Sequence, residues 1–145
     1  MKTDNSIRNI CIAAIRRKVI LPFDFLLTQL FEKETFPDID NEQFKLLDLY
    51  DNELPITQTT IDHANWTLVT TRQIISCADN TIQIAKAAEV LSWHWNDFKG
   101  YDKAAYTVGQ LQLAGQQQLG VFIETGRASM ITIYAIRTVV GQSTK

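Results

Sequence analysis

The chain has 145 residues, 46% of them apolar and 21% charged, with a net charge of −2. A chain of this size buries about 70% of its unfolded surface on folding, so global disorder and low complexity are excluded, and a charge this close to neutral selects neither nucleic acid nor an anionic membrane. No apolar run approaches the roughly 20 residues of a membrane span, Met1-Lys2-Thr3-Asp4 is not read as the start of a secretory leader, and Cys11 and Cys77 supply neither a disulfide framework nor a metal pair, which suits a cytoplasmic protein in a reducing compartment.

The first predicted element is a helix. Ile7, Ile10, Cys11, Ala14, Ile15 and Val19 recur at the spacing of one buried stripe, Arg8, Arg16 and Arg17 fall largely outside it, and Asp4, Asn5 and Ser6 are N-cap candidates. Pro22 ends or kinks this helix or begins a second one. Phe23, Leu26, Leu27, Leu30 and Phe31 again fit a helical stripe, so residues 5–34 are expected to be mainly helical, closed before Pro37.

After residue 43 the period becomes extended. Phe44–Tyr50 and Ile56–Ile61 flank the turn-like Asp51-Asn52-Glu53; Trp66–Thr71, Gln73–Cys77 and Thr81–Ile84 follow, the last two joined by a hairpin turn at Ala78-Asp79-Asn80. Glu89–Asp97, Tyr106–Leu113 and Leu119–Thr125 come next, with a turn at Ala114–Gln117. Six or seven short strands predict an antiparallel barrel or sandwich. Arg127–Val140 is apolar nearly all round and ambiguous by periodicity; Thr125 as N-cap and Gly141 as stop favour a buried or capping helix. No repeat or linker divides the chain. The expectation is one α+β domain over residues 1–145, with a helical N-terminal extension over 1–37 and an antiparallel β-barrel over 44–141 capped by a C-terminal helix.

That order of elements resembles the pleckstrin-homology-like superfold, including its bacterial and GRAM-type versions. The local resemblance lies in Trp66-Thr67-Leu68-Val69-Thr70-Thr71-Arg72-Gln73-Ile74-Ile75-Ser76, a strand, a Thr-rich turn with Arg and an apolar strand, followed by Ile82-Gln83-Ile84, the hairpin at Gly115 and the helix after Glu124-Thr125-Gly126. It covers residues 44–141, and residues 1–37 have no counterpart in the family. A fold resemblance does not carry function.

Catalytic constellations fail on inventory. His63 and His94 lie on separate segments, and no Cys-x-x-Cys or His-Glu-x-x-His spacing offers a metal site. On a strand Ser92 and His94 would point one way and Asp97 the other, which breaks a triad. Gly115 and Gly120 stand at phosphate-loop spacing, but Val121-Phe122 replaces the Lys and Ser/Thr such a loop needs. Both cysteines read as core residues with no neighbouring base. No cofactor is expected, and no run interleaving basic and aromatic residues points to nucleic acid.

Two features stand out. Trp93-His94-Trp95-Asn96-Asp97-Phe98-Lys99 places Leu91, Trp93 and Trp95 on one face of a strand, as core or as an exposed anchor for a partner, with His94 and Lys99 beside it. Residues 32–62 carry two lysines against nine carboxylates, a local charge of −7. This is either a solvated face or, through Asp38, Asp40 and Glu42, a surface that recruits a basic protein partner to an apolar centre drawn from Tyr50, Trp66, Trp93 and Trp95. The function expected first is a non-catalytic binding module that contacts a protein or, after that, a lipid headgroup. The second is an immunity protein, since small acidic domains without catalytic residues resemble those that neutralise a secreted bacterial toxin. The third is an enzyme with an unrecognised site.

Overall fold

The computed structural model describes residues 2–20, 25–39 and 41–143; Pro22, Phe23 and Asp40, named above, lie outside the described residues. Helix α1 spans Asp4–Arg16 and is capped one residue ahead of the expected candidates: the Thr3 hydroxyl accepts from the Ser6 N–H at 3.1 Å. Its buried side is Asp4, Arg8, Cys11, Ile12, Ala14 and Ile15. The stripe is thus rotated from the one expected, and it takes Arg8 inside. That burial is tolerated because the Arg8 guanidinium donates to the backbone carbonyls of Glu34 and, at 3.3 Å, Pro55.

The expected second helix does not continue to residue 34. Strand β1 is Thr28–Leu30, and Leu26, assigned above to a buried stripe, is 94% exposed. The buried Glu124 carboxylate draws this stretch out of helix by accepting from the N–H groups of Leu26 at 3.1 Å and Leu27 at 3.0 Å. Phe36–Asp38 and Glu42–Leu46 are short 3₁₀ turns, not the strand expected over Phe44–Tyr50. Phe31, Phe36, Ile39, Phe44, Leu47 and Leu49 form a covering layer against Trp66, Leu68, Ile75 and Cys77. Apolar residues strung along such a cover imitate strand alternation without having a strand to pair with.

Strands β2 (Pro55–Asp62), β3 (Asn65–Thr70), β4 (Gln73–Ala78) and β5 (Thr81–Lys86) extend β1 into a five-stranded antiparallel meander in the order β1-β2-β3-β4-β5. Its turns are chemically specified. Asp79 and Asn80 both take positive φ, 49° and 64°, as a two-residue hairpin between Ala78 and Thr81 requires. The Thr70 hydroxyl accepts from the N–H groups of Arg72 and Gln73 at 3.1 and 2.9 Å and so closes the β3–β4 turn. A second antiparallel sheet contains β6 (Val90–His94), β7 (Tyr106–Leu113) and β8 (Gln118–Glu124), in that order. After a 3₁₀ turn at Gly126–Ala128, helix α2 runs Ser129–Ser143, a helix as expected for this stretch but one that continues past the expected stop at Gly141.

The α+β class, the antiparallel strands and the C-terminal helix are therefore present, but the two sheets are not closed into a barrel. They face each other, with β8 against β2 to β5 and α2 against β2, β3 and β8. Cys11, Ile15 and Val19 share one core with Val69, Ile74, Leu111, Ile123, Ile136 and Val139, so α1 is built into the packing rather than appended to it. No helix among the described residues is long and apolar enough to cross a membrane.

Candidate binding site

Strand β6 is an edge strand: among the described residues its only ladder partner is β7. Val90 pairs with Leu113 and Trp93 with Leu111, and a register shift between Val90 and Ser92 inserts one extra residue. The bulge changes which side chains share a face. Val90 and Trp93, not Leu91 and Trp93, stand on the core side with Leu111 and Leu113, and Leu91 is turned out to 67% exposure. Leu91, Ser92, Trp93 and His94 are all exposed, so the whole free side of the strand is open.

The Trp93 and Trp95 rings stack with centroids 5.7 Å apart and planes 21° from parallel. Trp95 is half-buried against the core, whereas Trp93 stays 37% exposed, so the pair is anchored at one end and open at the other. Gly109 on β7 makes room for it. A Cβ there would come within 3.2 Å of Trp95 Cε3 and 2.9 Å of Ile123 Cδ1. From α2 the Arg137 guanidinium lies 5.9 Å from the Trp93 centroid and 5.0 Å from that of Tyr134, and Lys18 Nζ lies 5.4 Å from Tyr134. Trp95, Trp93, Arg137, Tyr134 and Lys18 thus form a continuous ladder of aromatic rings and cations from the edge strand across α2 to the segment after α1.

The sequence reading reached Trp93, His94 and Trp95 but missed Arg137, Tyr134 and Lys18. A signal was present: Arg137 is the single charged residue in Ser129–Ser143, and a lone charge on an otherwise apolar helix marks the side that reaches the rim. His94 pairs with Gln110 and is exposed. Lys99 is exposed, its Nζ 6.0 Å from the Phe98 centroid. Asp97 holds the loop that carries Lys99, accepting from the N–H groups of Tyr101 at 3.1 Å and Asp102 at 2.9 Å.

The remaining candidates do not join this site. Trp66 is fully buried beneath Phe44, ring to ring at 6.3 Å, and offers nothing to a partner; its indole N–H has no partner among the described residues. Tyr50 is exposed under the Arg72 guanidinium, 5.2 Å away, on a different part of the chain's surface. Asp38 and Glu42 are exposed on the covering layer; hydrogen bonds from the Thr35 hydroxyl and N–H hold the Asp38 carboxyl below the usual range, and Glu42 pairs with Lys45 at 2.9 Å. Asp40 lies outside the described residues. Glu53 departs from the expectation that the acidic stretch faces water: it is buried and accepts from Tyr50 N–H and Gln73 Nε2, both at 2.9 Å, and from the Thr70 hydroxyl.

Burial pushes the Cys11 thiol up to about 12 and raises that of Cys77, so neither is a ready thiolate. Among the described residues no group of three or more His, Cys, Asp or Glu side chains is placed to hold a metal ion. Comparison with protein-family models, with curated proteins and with solved structures finds no match to this chain.

Proposed function

We propose that the chain is a non-catalytic binding module of pleckstrin-homology-like plan that takes up an extended segment of a protein partner along β6, beside α2. The observation that carries this reading is the open edge of β6, with Leu91 to His94 exposed and the half-exposed Trp93 stacked between Trp95 and Arg137. An unpaired edge offers N–H and C=O groups to an added strand, and a pocket beside it selects alternate side chains. Trp and Arg are the residue types that most often dominate interface energetics. The order of strands and the C-terminal helix support the pleckstrin-homology-like description, while the separate sheets and the integrated α1 depart from it.

The bordering cations Arg137 and Lys18 favour a partner segment that places an acidic or polar group beside its apolar anchor. The described carboxylates of residues 32–62 sit on the other sheet and its cover, so this reading does not need a basic partner. The test is selection from a random peptide library, with the Trp93→Ala protein as counter-target. Peptides bound at about micromolar affinity by the parent and lost in Trp93→Ala and Arg137→Glu, with slowed amide exchange at Leu91 to His94, are the expected result. Selected peptides that bind Trp93→Ala equally well, or no selection at all, would overturn the proposal.

A further inference from the structure

A concave feature lies away from β6. Tyr50, Lys2, Arg72, Lys86, Ile7 and Ala88 line a cleft of about 750 Å³. That volume falls within the range of small-molecule sites, roughly 300–1,000 Å³. Among the described residues its wall carries three cations and no carboxylate, in a chain whose net charge is −2.

Each cation is held there by a different part of the fold. Lys2 precedes α1 and donates to Gln142 Oε1 of α2 at 2.8 Å, which leaves two of its three donors without a partner among the described residues. Arg72 sits in the β3–β4 turn. Its Nε and Nη2 bond Asp4 at 2.9 and 2.8 Å, and Nη1 makes no hydrogen bond among the described residues. Lys86 closes β5 and makes no ion pair among the described residues. Asp4 and Glu53 are the carboxylates nearest Arg72, and both are already committed. Asp4 is bound to Arg72 and Thr71, and Glu53 to Thr70 and Gln73. Tyr50, Ile7 and Ala88 add an apolar side.

We infer that this cleft binds a small phosphate-bearing molecule, with the phosphate oxygens on Lys2, Arg72 and Lys86 and the remainder against Tyr50 and Ile7. A lone carboxylate would engage one or two of the three cations. A phosphoryl group, with three acceptor oxygens and close to two charges, matches all of them. The inference stands apart from the peptide-binding reading, because no residue of the β6 site lines the cleft.

The test is calorimetric titration of the full chain with inorganic pyrophosphate and with ADP, and flotation with phosphatidylserine vesicles. Saturable binding of pyrophosphate or ADP is expected, weakened about tenfold or more by Lys86→Gln and again by Lys2→Gln, as loss of a charged hydrogen bond implies. Trp93→Ala should leave it unchanged. Vesicle binding without binding of the free anions, and with the same sensitivity to Lys86→Gln, would assign the phosphate to a lipid and keep the site. No saturable binding to any probe, or binding indifferent to both lysine substitutions in proteins of unchanged melting temperature, would overturn it.

Discussion

At the scale of single residues, the side chains that most constrain the N-terminal half are charged and buried. Asp4 accepts from the Thr71 hydroxyl at 2.6 Å and from Arg72 through both oxygens. Burial alone would raise its carboxyl, but the hydrogen bonds from Arg72 and Thr71 and the Arg72 charge outweigh burial and hold it below the ordinary 3.8. A carboxyl depressed on folding contributes stability that is present above its unfolded value and is lost as pH falls through the folded one. The Asp4 contribution should therefore be intact at neutral pH and disappear below pH 3.8. Asp4→Asn should lose about 1–2 kcal/mol at pH 7 and much less in acid, measured by urea unfolding at both pH values. The loss stays small because the Arg72 side chain is 39% exposed and water replaces part of the lost interaction. Cys11, whose thiol burial pushes up to about 12, should resist iodoacetamide in the folded protein and react once the chain is unfolded in urea.

At the scale of elements, two devices are open to direct test. Gly109→Ala adds a methyl group where Ile123 and Trp95 leave 2.9 and 3.2 Å. It should cost about 1–3 kcal/mol and tilt Trp95 off Trp93, visible as a change in near-ultraviolet circular dichroism. Thr70→Val removes the acceptor for the Arg72 and Gln73 amides and the donor to Glu53. It should destabilise by about 1–3 kcal/mol in thermal unfolding, because buried groups then lose their partners. The elements that were legible in the sequence are those whose partners are close along the chain. The β3–β4–β5 meander is such a case, since its β-branched residues and the Asp79-Asn80 turn report local pairing. Leu26 and Leu30 were not legible, because helical spacing over so few residues does not exclude a three-residue strand held from Glu124. Nor was the burial of Arg8, whose acceptors are the distant Glu34 and Pro55 carbonyls. Half of the candidate site was visible in Trp93 and Trp95. Its other half, Tyr134 and Arg137, depends on how α2 brings Arg137 over the Trp93 ring, and the bulge that turns Leu91 out cannot be counted from alternation.

At the scale of the whole molecule, two ladders are joined by packing rather than by strand pairing. The hydrogen bonds that cross between the sheets among the described residues come from side chains: the Phe122 N–H donates to the Thr67 hydroxyl at 2.8 Å, and Glu124 accepts from the Leu26 and Leu27 amides. Thr67 also bonds Ser76 at 2.9 Å, which fixes its hydroxyl within the five-stranded sheet. Thr67→Val should leave the Phe122 amide buried without a partner and lower stability by about 1–3 kcal/mol. Native-state hydrogen exchange should then show β8 amides exchanging faster while those of β3 and β4 keep their protection, the signature of two cooperative units. Equal acceleration in both sheets would show one unit instead.

The tryptophan arrangement gives the protein built-in optical reporters of distinct regions. Trp93 and Trp95, stacked at 5.7 Å, are close enough for their indole transitions to couple, so the pair should produce a paired positive and negative band that a lone indole lacks. Trp66, sealed beneath Phe44, emits from dry surroundings and should resist quenching by iodide. A ligand on the β6 edge would alter the coupled band and leave the blue emission alone. Loosening of the covering layer would red-shift that emission and leave the coupled band intact.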